Sequence, residues 1–251
     1  MDLRDYLLFL TRAGSMEELW AAHTDKMASY GFDRLIYGLT RYRTETSLGD
    51  PEDFLILTNH STSYLDEFIG KGLYFHAPMT NWALQNEGAA SWRMMADKAQ
   101  AGAFTDDEMR VVRFNLRHGV EAGYTISFGS ASPRSKGGIA LTGRRGLDQD
   151  ELDAIWAEHG QDILLMNNVA HLKICSLPHQ LPNRRLTKRQ REALEWVGDG
   201  KTTQDIALLM GLTPATVEKH LRLAREALAV ETTAQAVLKA TMQNQMFVIE
   251  A

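Results

Sequence analysis

The residues that could carry out chemistry are few and scattered. There is one cysteine, Cys175, so neither an internal disulfide nor a cysteine-based metal cluster is expected. No two histidines have the spacing of a metal-binding HxxxH, and they stand at positions 23, 60, 76, 118, 159, 171, 179 and 220. The sequence has no GxSxG, no P-loop and no GxGxxG after a strand. We therefore predict no catalytic residue, metal or cofactor, and reject a lactonase or acylase, the enzymes we considered.

A second group of side chains has a spacing that suits binding. Tyr64 and Phe68 are four residues apart, which places both on one side of a helix. After them come a Gly-Lys-Gly break and Tyr-Phe-His, followed by Ala77 and Pro78. The aromatic pair could be ordinary core, the usual role of aromatics at this spacing, or could line a pocket with His76 at its mouth. These residues alone leave both interpretations open.

Bulk composition indicates a globular protein of two modules. The chain has 251 residues, 44% hydrophobic and 24% charged, and contains no apolar run that approaches a membrane span. From Arg184 onward ten basic and eight acidic residues give a charge of +2. The net charge of the chain is −5, so residues 1–183 carry a charge of −7. This asymmetry suggests modules with different partners. Low cysteine content and the lack of a signal peptide pattern favour the cytoplasm.

The first module alternates helices and strands without regular βαβ units. Strands are predicted at residues 32–42, 53–58, 123–129 and 137–143. Helices are predicted twice within 2–30, at 61–71 and 79–86, from Thr105, and over 148–174. Capping boxes are expected at Ser15 with Glu18 and at Thr105 with Glu108. The fold class is α+β, with an N-terminal α-β-α sandwich on a mostly antiparallel sheet.

A proline-containing polar stretch, CSLPHQLPNRR, marks the domain boundary. The predicted organisation is a ligand domain over 1–174, a linker over 175–185 and an all-α domain over 186–251. In the last domain, capping residues alone predict four helices: Thr187 with Gln190, Thr202 with Asp205, Thr213 before Pro214, and Thr232 with Gln235. The second and third, separated by a glycine-containing turn, form a helix-turn-helix.

The third of these helices has two distinct faces. Val217, Leu221, Ala224 and Leu228 recur at 4-3-4 spacing and should pack inward. The opposite face carries Thr216, Lys219 and Arg222, whose polar and basic groups suit base edges and phosphates in the major groove. A solvated helix face is the alternative for any one residue, but the combination with caps and turn favours double-stranded DNA as a partner.

The same residues resemble the DNA-binding domain of the LuxR family over about the last 65 residues. The matching positions are Leu186-Thr187, Leu194, Trp196, Gly200-Lys201-Thr202, Asp205-Ile206-Ala207 and Thr216-Val217 with His220. The resemblance implies a homodimer that binds an operator. We therefore predict DNA contacts from Lys201, Thr202 and Thr213 in addition to the three residues of the exposed face.

Such a domain occurs behind several kinds of sensory domain. A phosphorylated receiver domain would open with an apolar strand ending in acidic residues, and this chain opens with helices. The element order instead resembles the autoinducer-binding domain of quorum-sensing LuxR proteins. Its motif is WxxxY, then DP eight residues on, then a tryptophan fourteen residues after the proline. Tyr64 and Phe68, Ala77-Pro78 and Trp92 hold these positions.

The spacing of that motif is intact, whereas its polar groups are not. The resemblance implies that the tryptophan donates to a lactone carbonyl, the tyrosine holds the acyl-amide carbonyl, and the aspartate accepts from the amide N–H. Phe68 cannot donate and Ala77 cannot accept. His76 and Ser127 are the nearest residues that could compensate. The site is thus predicted to comprise Tyr64, Phe68, Trp92 and the residues just named, together with Pro78.

These features predict a dimeric LuxR-type transcriptional regulator controlled by a small molecule similar to an acyl-homoserine lactone. The alternatives are a regulator that responds to a non-lactone ligand and one that folds and binds DNA without any ligand. The long helix over 148–174, with Trp156 and Leu164 and Leu165, is the predicted dimer interface.

Overall fold

The computed structural model describes residues 1–178 and 184–248, and its contacts divide the chain into two compact units. The first comprises Met1–Gly49 and Leu55–Cys175, and the second comprises Asp50–Phe54 and the chain from Ser176. Residues 179–183 of the predicted linker lie outside the described residues. Within the described ranges no helix is both long enough and apolar enough to cross a bilayer.

A five-stranded sheet forms the centre of the first unit. Its strands are β1 (Phe32–Thr40), β2 (Leu55–Thr58), β3 (Gly88–Ser91), β4 (Gly123–Ser127) and β5 (Lys136–Gly143). Their order is β2-β1-β5-β4-β3 and every pairing is antiparallel. The α+β prediction is confirmed. Strand β3 was not predicted, because its four residues Gly-Ala-Ala-Ser have little strand propensity and form their ladder with β4.

Seven helices accompany this sheet. They are α1 (Leu3–Arg12), α2 (Met16–Ala28), α3 (Thr62–Phe68), α4 (Pro78–Gln85), α5 (Arg93–Gln100), α6 (Asp106–Arg117) and α7 (Gln149–Ser176). Thr105 and Glu108 form the predicted capping box of α6. The box predicted at Ser15 is incomplete, because the Glu18 carboxylate accepts from the Gly14 amide instead.

Some element boundaries differ from the prediction. The strand expected from residue 53 begins at Leu55, because Pro51–Asp53 form a 3₁₀ turn capped by the Asp50 side chain. The helix expected to end at 174 continues to Ser176. Helix α5 was not predicted at all.

One face of the sheet is closed by α2 and α7. Since successive side chains of a strand point to opposite faces, Leu35, Tyr37 and Leu141 lie on this face, and each is at most 1% exposed. Trp156 of α7 stacks on Tyr124 of β4 with ring centroids 3.9 Å apart. Eight residues of α7 are fully buried, so this face is the hydrophobic core of the unit.

The second unit is helical. Its helices are α8 (Lys188–Gly198), α9 (Thr203–Met210), α10 (Pro214–Ala227) and α11 (Thr233–Met242). The four predicted caps are confirmed, three of them as complete capping boxes. The turn between α9 and α10 passes through Gly211 at φ 65°, a left-handed conformation that glycine adopts without strain. The four residues predicted to face inward from α10 all belong to the core.

A short acidic segment, Asp50–Phe54, also belongs to the second unit. The Asp53 carboxylate accepts from Lys239 Nζ at 2.7 Å and from Arg184 Nε at 3.2 Å, and all three side chains are at most 10% exposed. The Arg184 guanidinium also bonds Asp50 at 2.8 Å and pairs with Glu52 at 3.1 Å. The cluster is charge-paired, as buried ions in proteins generally are.

Candidate ligand-binding face and nucleic-acid interface

The second face of the sheet, covered by α3 to α6, is built from small and polar side chains. We call it the open face. The pairing register aligns its residues in two complete rows across the strands: Ile56, Gly38, Gly138, Ser127 and Gly88 in one, and Thr58, Ile36, Ala140, Thr125 and Ala90 in the other. Arg34, Thr142 and Gly123 form a third, partial row at one end, and Thr40 and Lys136 form another at the opposite end. The strands therefore contribute little volume on this side.

The helices leave part of these rows uncovered, although Thr125, Ser127 and Thr142 are at most 4% exposed. Ile36, Ile56 and Ala140 remain partly exposed although they lie within the sheet. Neither α4 nor α5 contains a fully buried residue. Helix α4 nevertheless lies over the face, since Ala83 Cβ is 3.8 Å from where a Cβ at Gly138 would stand. An apolar floor beneath helices that do not close upon it is suited to hold an elongated apolar molecule.

Trp92 lies at one end of the open face. Its ring lies over Gly123, where an added Cβ would be 3.0 Å from the ring and 2.3 Å from the Leu141 carbonyl oxygen. Only glycine fits between strand and indole at this point. The indole N–H donates to the Thr125 hydroxyl at 2.8 Å. The group predicted to donate to a ligand therefore has a partner within the chain.

Tyr64 and Phe68 stack on each other with centroids 5.2 Å apart and are 3% and 9% exposed. Phe114 and His118 of the α6 end pack against Tyr64, as does His60. The Tyr64 hydroxyl donates to Asn115 Oδ1 at 3.1 Å, and burial raises the pKa of Tyr64, which keeps the phenol protonated as a donor. The aromatic pair thus belongs to a packed cluster beside the open face.

The remaining predicted ligand residues divide into buried and exposed positions. Ala77 is 5% exposed and precedes α4, whose first position is Pro78, and no side chain caps that helix. The His76 side chain is 53% exposed and faces Asp107 at 3.8 Å. The Ser127 hydroxyl is 2.7 Å from the carbonyl oxygens of Ala83 and Asn86, both at the end of α4. His76 is therefore directed to solvent, and Ser127 holds α4 to the sheet.

Two residues of the third row were not singled out from sequence. Arg34 donates to the carbonyl oxygens of His118, Gly119 and Gly143, which fastens the end of α6 to the sheet. Thr142 is 1% exposed and its hydroxyl has no hydrogen-bond partner. A buried hydroxyl without a partner is uncommon and costs free energy. The strand alternation that predicts β5 also places Thr142 on the open face, but its lack of a partner depends on the tertiary structure.

The predicted DNA-binding residues lie on α10 and in the turns before α9 and α10. Lys201, Lys219 and Arg222 are exposed, and Arg222 pairs with Glu226 one turn further along α10. The Thr202 hydroxyl donates to Asp205 at 2.6 Å, and the Thr213 and Thr216 hydroxyls are 2.9 Å apart. Thr202 and Thr213 therefore cap α9 and α10, while the basic groups on α10 face solvent opposite its buried stripe.

The residues predicted at a dimer interface are not all exposed. Trp156 is partly exposed and packs on Tyr124 within the first unit, and its part in the interface stays a prediction. On the same helix Leu165 and Leu172, seven residues apart, are 45% and 68% exposed and share one face. Across residues 1–178 and 184–248 no three His, Cys, Asp or Glu side chains group as a metal site.

Comparison with protein families matches both units. The family described as autoinducer binding domain matches residues 15–174, and that described as sigma-70, region 4, matches residues 184–228. The chain is similar to the transcriptional activator AnoR of Acinetobacter nosocomialis, with 24% identity over 90% of this chain and 91% of AnoR. It is also similar to the activator LuxR of Aliivibrio fischeri, with 21% identity over 76% and 74% of the two chains.

Solved structures share the fold. Escherichia coli SdiA superposes with a TM-score of 0.52 and 16% identity, covering 98% of each chain. A complex of SdiA with octanoyl-rac-glycerol gives a TM-score of 0.51 at 18% identity over 96% of this chain and 93% of that one. CepR2 from Burkholderia cenocepacia, described as dependent on N-acylhomoserine lactone, gives 0.51 at 18% identity over 68% and 92%.

Proposed function

This chain belongs to the LuxR family of transcriptional regulators, with an autoinducer-binding domain over most of its first unit, and we propose that it binds operator DNA as a homodimer under the control of a small apolar ligand. The observation that carries the proposal is the open face. A sheet surface of mostly small residues lies beneath α4 and α5, neither of which contains a fully buried side chain, and this leaves room for a ligand that would complete the core. Binding to the folded state alone would stabilise that state.

The DNA-binding part of the proposal is supported by the two faces of α10. Its buried stripe joins the helical core, and Lys219 and Arg222 extend from the other side. A helix held in this way presents cations to phosphates in the major groove. The cytoplasm, where DNA is accessible, is the corresponding location.

Replacement of Lys219 or of Arg222 tests the DNA-binding part of the proposal directly. Lys219→Ala and Arg222→Ala should each weaken binding to an operator fragment in fluorescence anisotropy. Each should also lower the slope of log affinity against log salt by about 1, because one phosphate contact and its released counterion are lost. Arg189→Ala on α8, where Arg189 pairs with Glu192, is the matched control. An unchanged slope in both test variants would exclude α10 as the helix in the groove.

Homodimerisation is proposed through exposed leucines of α7. Leu165 and Leu172 give an apolar stripe that a second copy would cover. Leu165→Glu with Leu172→Glu should yield a monomer in analytical ultracentrifugation, because a carboxylate would be buried in the interface. A dimer that persists at micromolar concentration would mean that the interface lies elsewhere.

A ligand-independent regulator is the second candidate, and one observation favours it. Trp92 and Tyr64 both donate to side chains of the chain itself, so the predicted head-group donors are satisfied without a ligand. Mass spectrometry of molecules extracted from the purified protein distinguishes the candidates. A stoichiometric apolar compound whose removal alters operator binding supports ligand control. Full operator binding by extract-free protein, with no response to added acyl compounds, supports the alternative.

A further inference from the structure

Trp92 stands at a corner of the chain that one carboxylate holds from both sides. The corner follows the edge strand β3 and leads into α5, with Ser91 before the tryptophan and Arg93 after it. The Ser91 hydroxyl donates to Asp153 Oδ1 at 2.8 Å, and Arg93 Nε donates to Asp153 Oδ2 at 2.7 Å. Asp153, on α7, therefore binds both neighbours of Trp92, which lie 62 and 60 positions before it in the chain.

The same carboxylate has two further donors. The Tyr124 hydroxyl donates to Asp153 Oδ1 at 2.6 Å, and Gln149 Nε2 donates to it at 2.8 Å. Burial by itself raises the pKa of Asp153, but the hydrogen bonds from its four donors lower it to about 2. The carboxylate is therefore charged at neutral pH, and hydrogen bonds to a charged acceptor are stronger than those to a neutral one.

Gln149 extends this anchor to the strand beneath the indole. Its Oε1 accepts from the Gly123 amide at 3.0 Å, and its Nε2 donates to the Gly123 carbonyl oxygen at 3.3 Å. The Trp92 amide donates to the same carbonyl at 3.0 Å. The indole lies over Gly123 and donates to Thr125. The first turns of α7 thus hold both the backbone beside Trp92 and the glycine under its ring.

Packing does less to hold this corner. Ser91 and Trp92 are only partly buried, and α5, which begins at Arg93, contains no fully buried residue. The orientation of the indole therefore depends on the hydrogen bonds of the corner more than on the side chains around it. Residues that bind a ligand need such support, because a small displacement of the side chain loses the contact.

We propose that Asp153 is the positioning residue of the ligand site: it sets where the Trp92 indole stands on the open face and so determines how tightly a ligand is held there. The inference rests on the proposed ligand control. Asp153 acts through Trp92, since it lies on α7, the helix that closes the other face of the sheet. A shift of the corner would separate the indole N–H from Thr125 and change the space that the ring leaves for a ligand.

Fluorine NMR of the full-length protein labelled with fluorotryptophan tests the positioning without any ligand. The chain has five tryptophans, and the spectrum of Trp92→Phe identifies the resonance of Trp92. Asp153→Asn keeps the size of the side chain but removes its charge, and it should shift or broaden that resonance. Asp150→Asn is the matched control, because Asp150 also pairs with Arg93 but is 79% exposed. A Trp92 resonance that stays in place in Asp153→Asn, or that moves equally in both variants, overturns the inference.

Isothermal titration then measures the consequence for binding, with octanoyl-rac-glycerol and N-octanoyl-homoserine lactone as probes. A probe that binds the wild-type protein should bind Asp153→Asn about tenfold more weakly, and Asp150→Asn as well as the wild type. In a Trp92→Phe background Asp153→Asn should cost much less affinity, because its effect passes through the indole. An equal cost in the two backgrounds would show a purely structural role for Asp153 and overturn the inference.

Thermal melting checks that the variants fold. If Asp153→Asn does not, Ser91→Ala removes one of the two bonds beside Trp92 and should move the same resonance and lower affinity in the same direction. Failure of the proposed ligand control is distinct from failure of this inference. The first would appear as a wild-type protein that yields no extractable small molecule and binds neither probe, and the second as a Trp92 resonance that does not respond to Asp153→Asn.

Discussion

The two faces of the central sheet are made by the same five strands and have opposite properties. Towards α7 lie Leu35, Tyr37, Ile139 and Leu141, none more than 2% exposed. Towards α4 lie glycine, alanine and threonine, with isoleucines that remain partly exposed. Because successive side chains of each strand point to opposite faces, one face of the sheet stabilises the fold and the other is available to a ligand. We therefore expect the ligand site on the face where packing against the sheet is incomplete.

Truncation on the closed face should have the largest effect on stability. Leu141→Ala removes a fully buried side chain from beneath α7, so we expect the free energy of unfolding to fall by about 2–5 kcal/mol. Ala140→Gly, one residue earlier on the open face, should cost about 1 kcal/mol or less. Urea denaturation of the two variants makes the comparison. Equal losses would show that both faces are packed alike.

Filling the open face should abolish ligand binding without unfolding the protein. A Cβ at Gly38 would have Ile56 Cδ1 at 3.6 Å, an ordinary contact, so Gly38→Leu can project into the uncovered space. We expect a loss of affinity of about a hundredfold or more and a melting temperature no lower than that of the wild type. Gly137→Leu, on the other face, should prevent folding, since its Cβ would be 2.7 Å from His171. Unimpaired binding by Gly38→Leu would place the ligand elsewhere.

A lower pH should destabilise the protein through His23, which is buried on the closed side of the sheet. The Tyr6 hydroxyl donates to His23 Nδ1 at 2.6 Å and His23 Nε2 donates to Asn167 at 3.1 Å, an arrangement that requires the neutral ring. Burial lowers the pKa of His23 to about 4, although the bond to Asn167 opposes this. The unfolded chain thus binds the proton more readily. The contribution of His23 to the free energy of unfolding is fully present above pH 6.5 and decreases as the pH falls towards 4.

The expected loss from His23 is about 2 kcal/mol between pH 6.5 and pH 5. Burial lowers the pKa of His171 on α7 to about 4 as well, so its contribution has the same sign. Chemical denaturation at a series of pH values measures the slope, and His23→Gln should make it shallower. A slope unchanged by that substitution would mean that His23 titrates alike in the folded and unfolded states.

The smallest effect is expected for Thr142→Val, which should raise stability and lower ligand affinity. Thr142→Val replaces the unpartnered buried hydroxyl with a methyl group of similar shape. The ligand-free protein should gain up to about 1 kcal/mol in stability, while affinity for the ligand should fall several-fold. Thr125→Val, which removes the partner of Trp92, should lower both quantities. A Thr142→Val variant with unaltered affinity would exclude that hydroxyl from the site.

Features with local causes were predictable from the sequence. The boxes at Thr187, Thr202 and Thr232 each depend on residues three apart, and the structure shows all of them. The buried stripe of α10 followed from helical periodicity. Strand β3 was not predictable, because its pairing with β4 and not its small side chains makes it a strand. Local rules act within about one turn, and β3 depends on residues more than thirty positions away.

The ligand role of Tyr64, Phe68 and Trp92, which their spacing suggested, stays a prediction. Their hydrogen-bond partners, Asn115 and Thr125, are distant in sequence and could be found only from the structure. His76 looked like a pocket residue because of its neighbours, yet its side chain points to solvent.

The acidic segment between β1 and β2 has a practical consequence for taking the protein apart. A fragment that starts at Ser176 would contain Arg184 and Lys239 but not Asp53, and would expose two cations that the intact chain neutralises. An isolated helical fragment is therefore an imperfect substitute for the second unit. Conversely, a mutation in this loop would act on the helical unit, although the loop lies far from that unit in sequence.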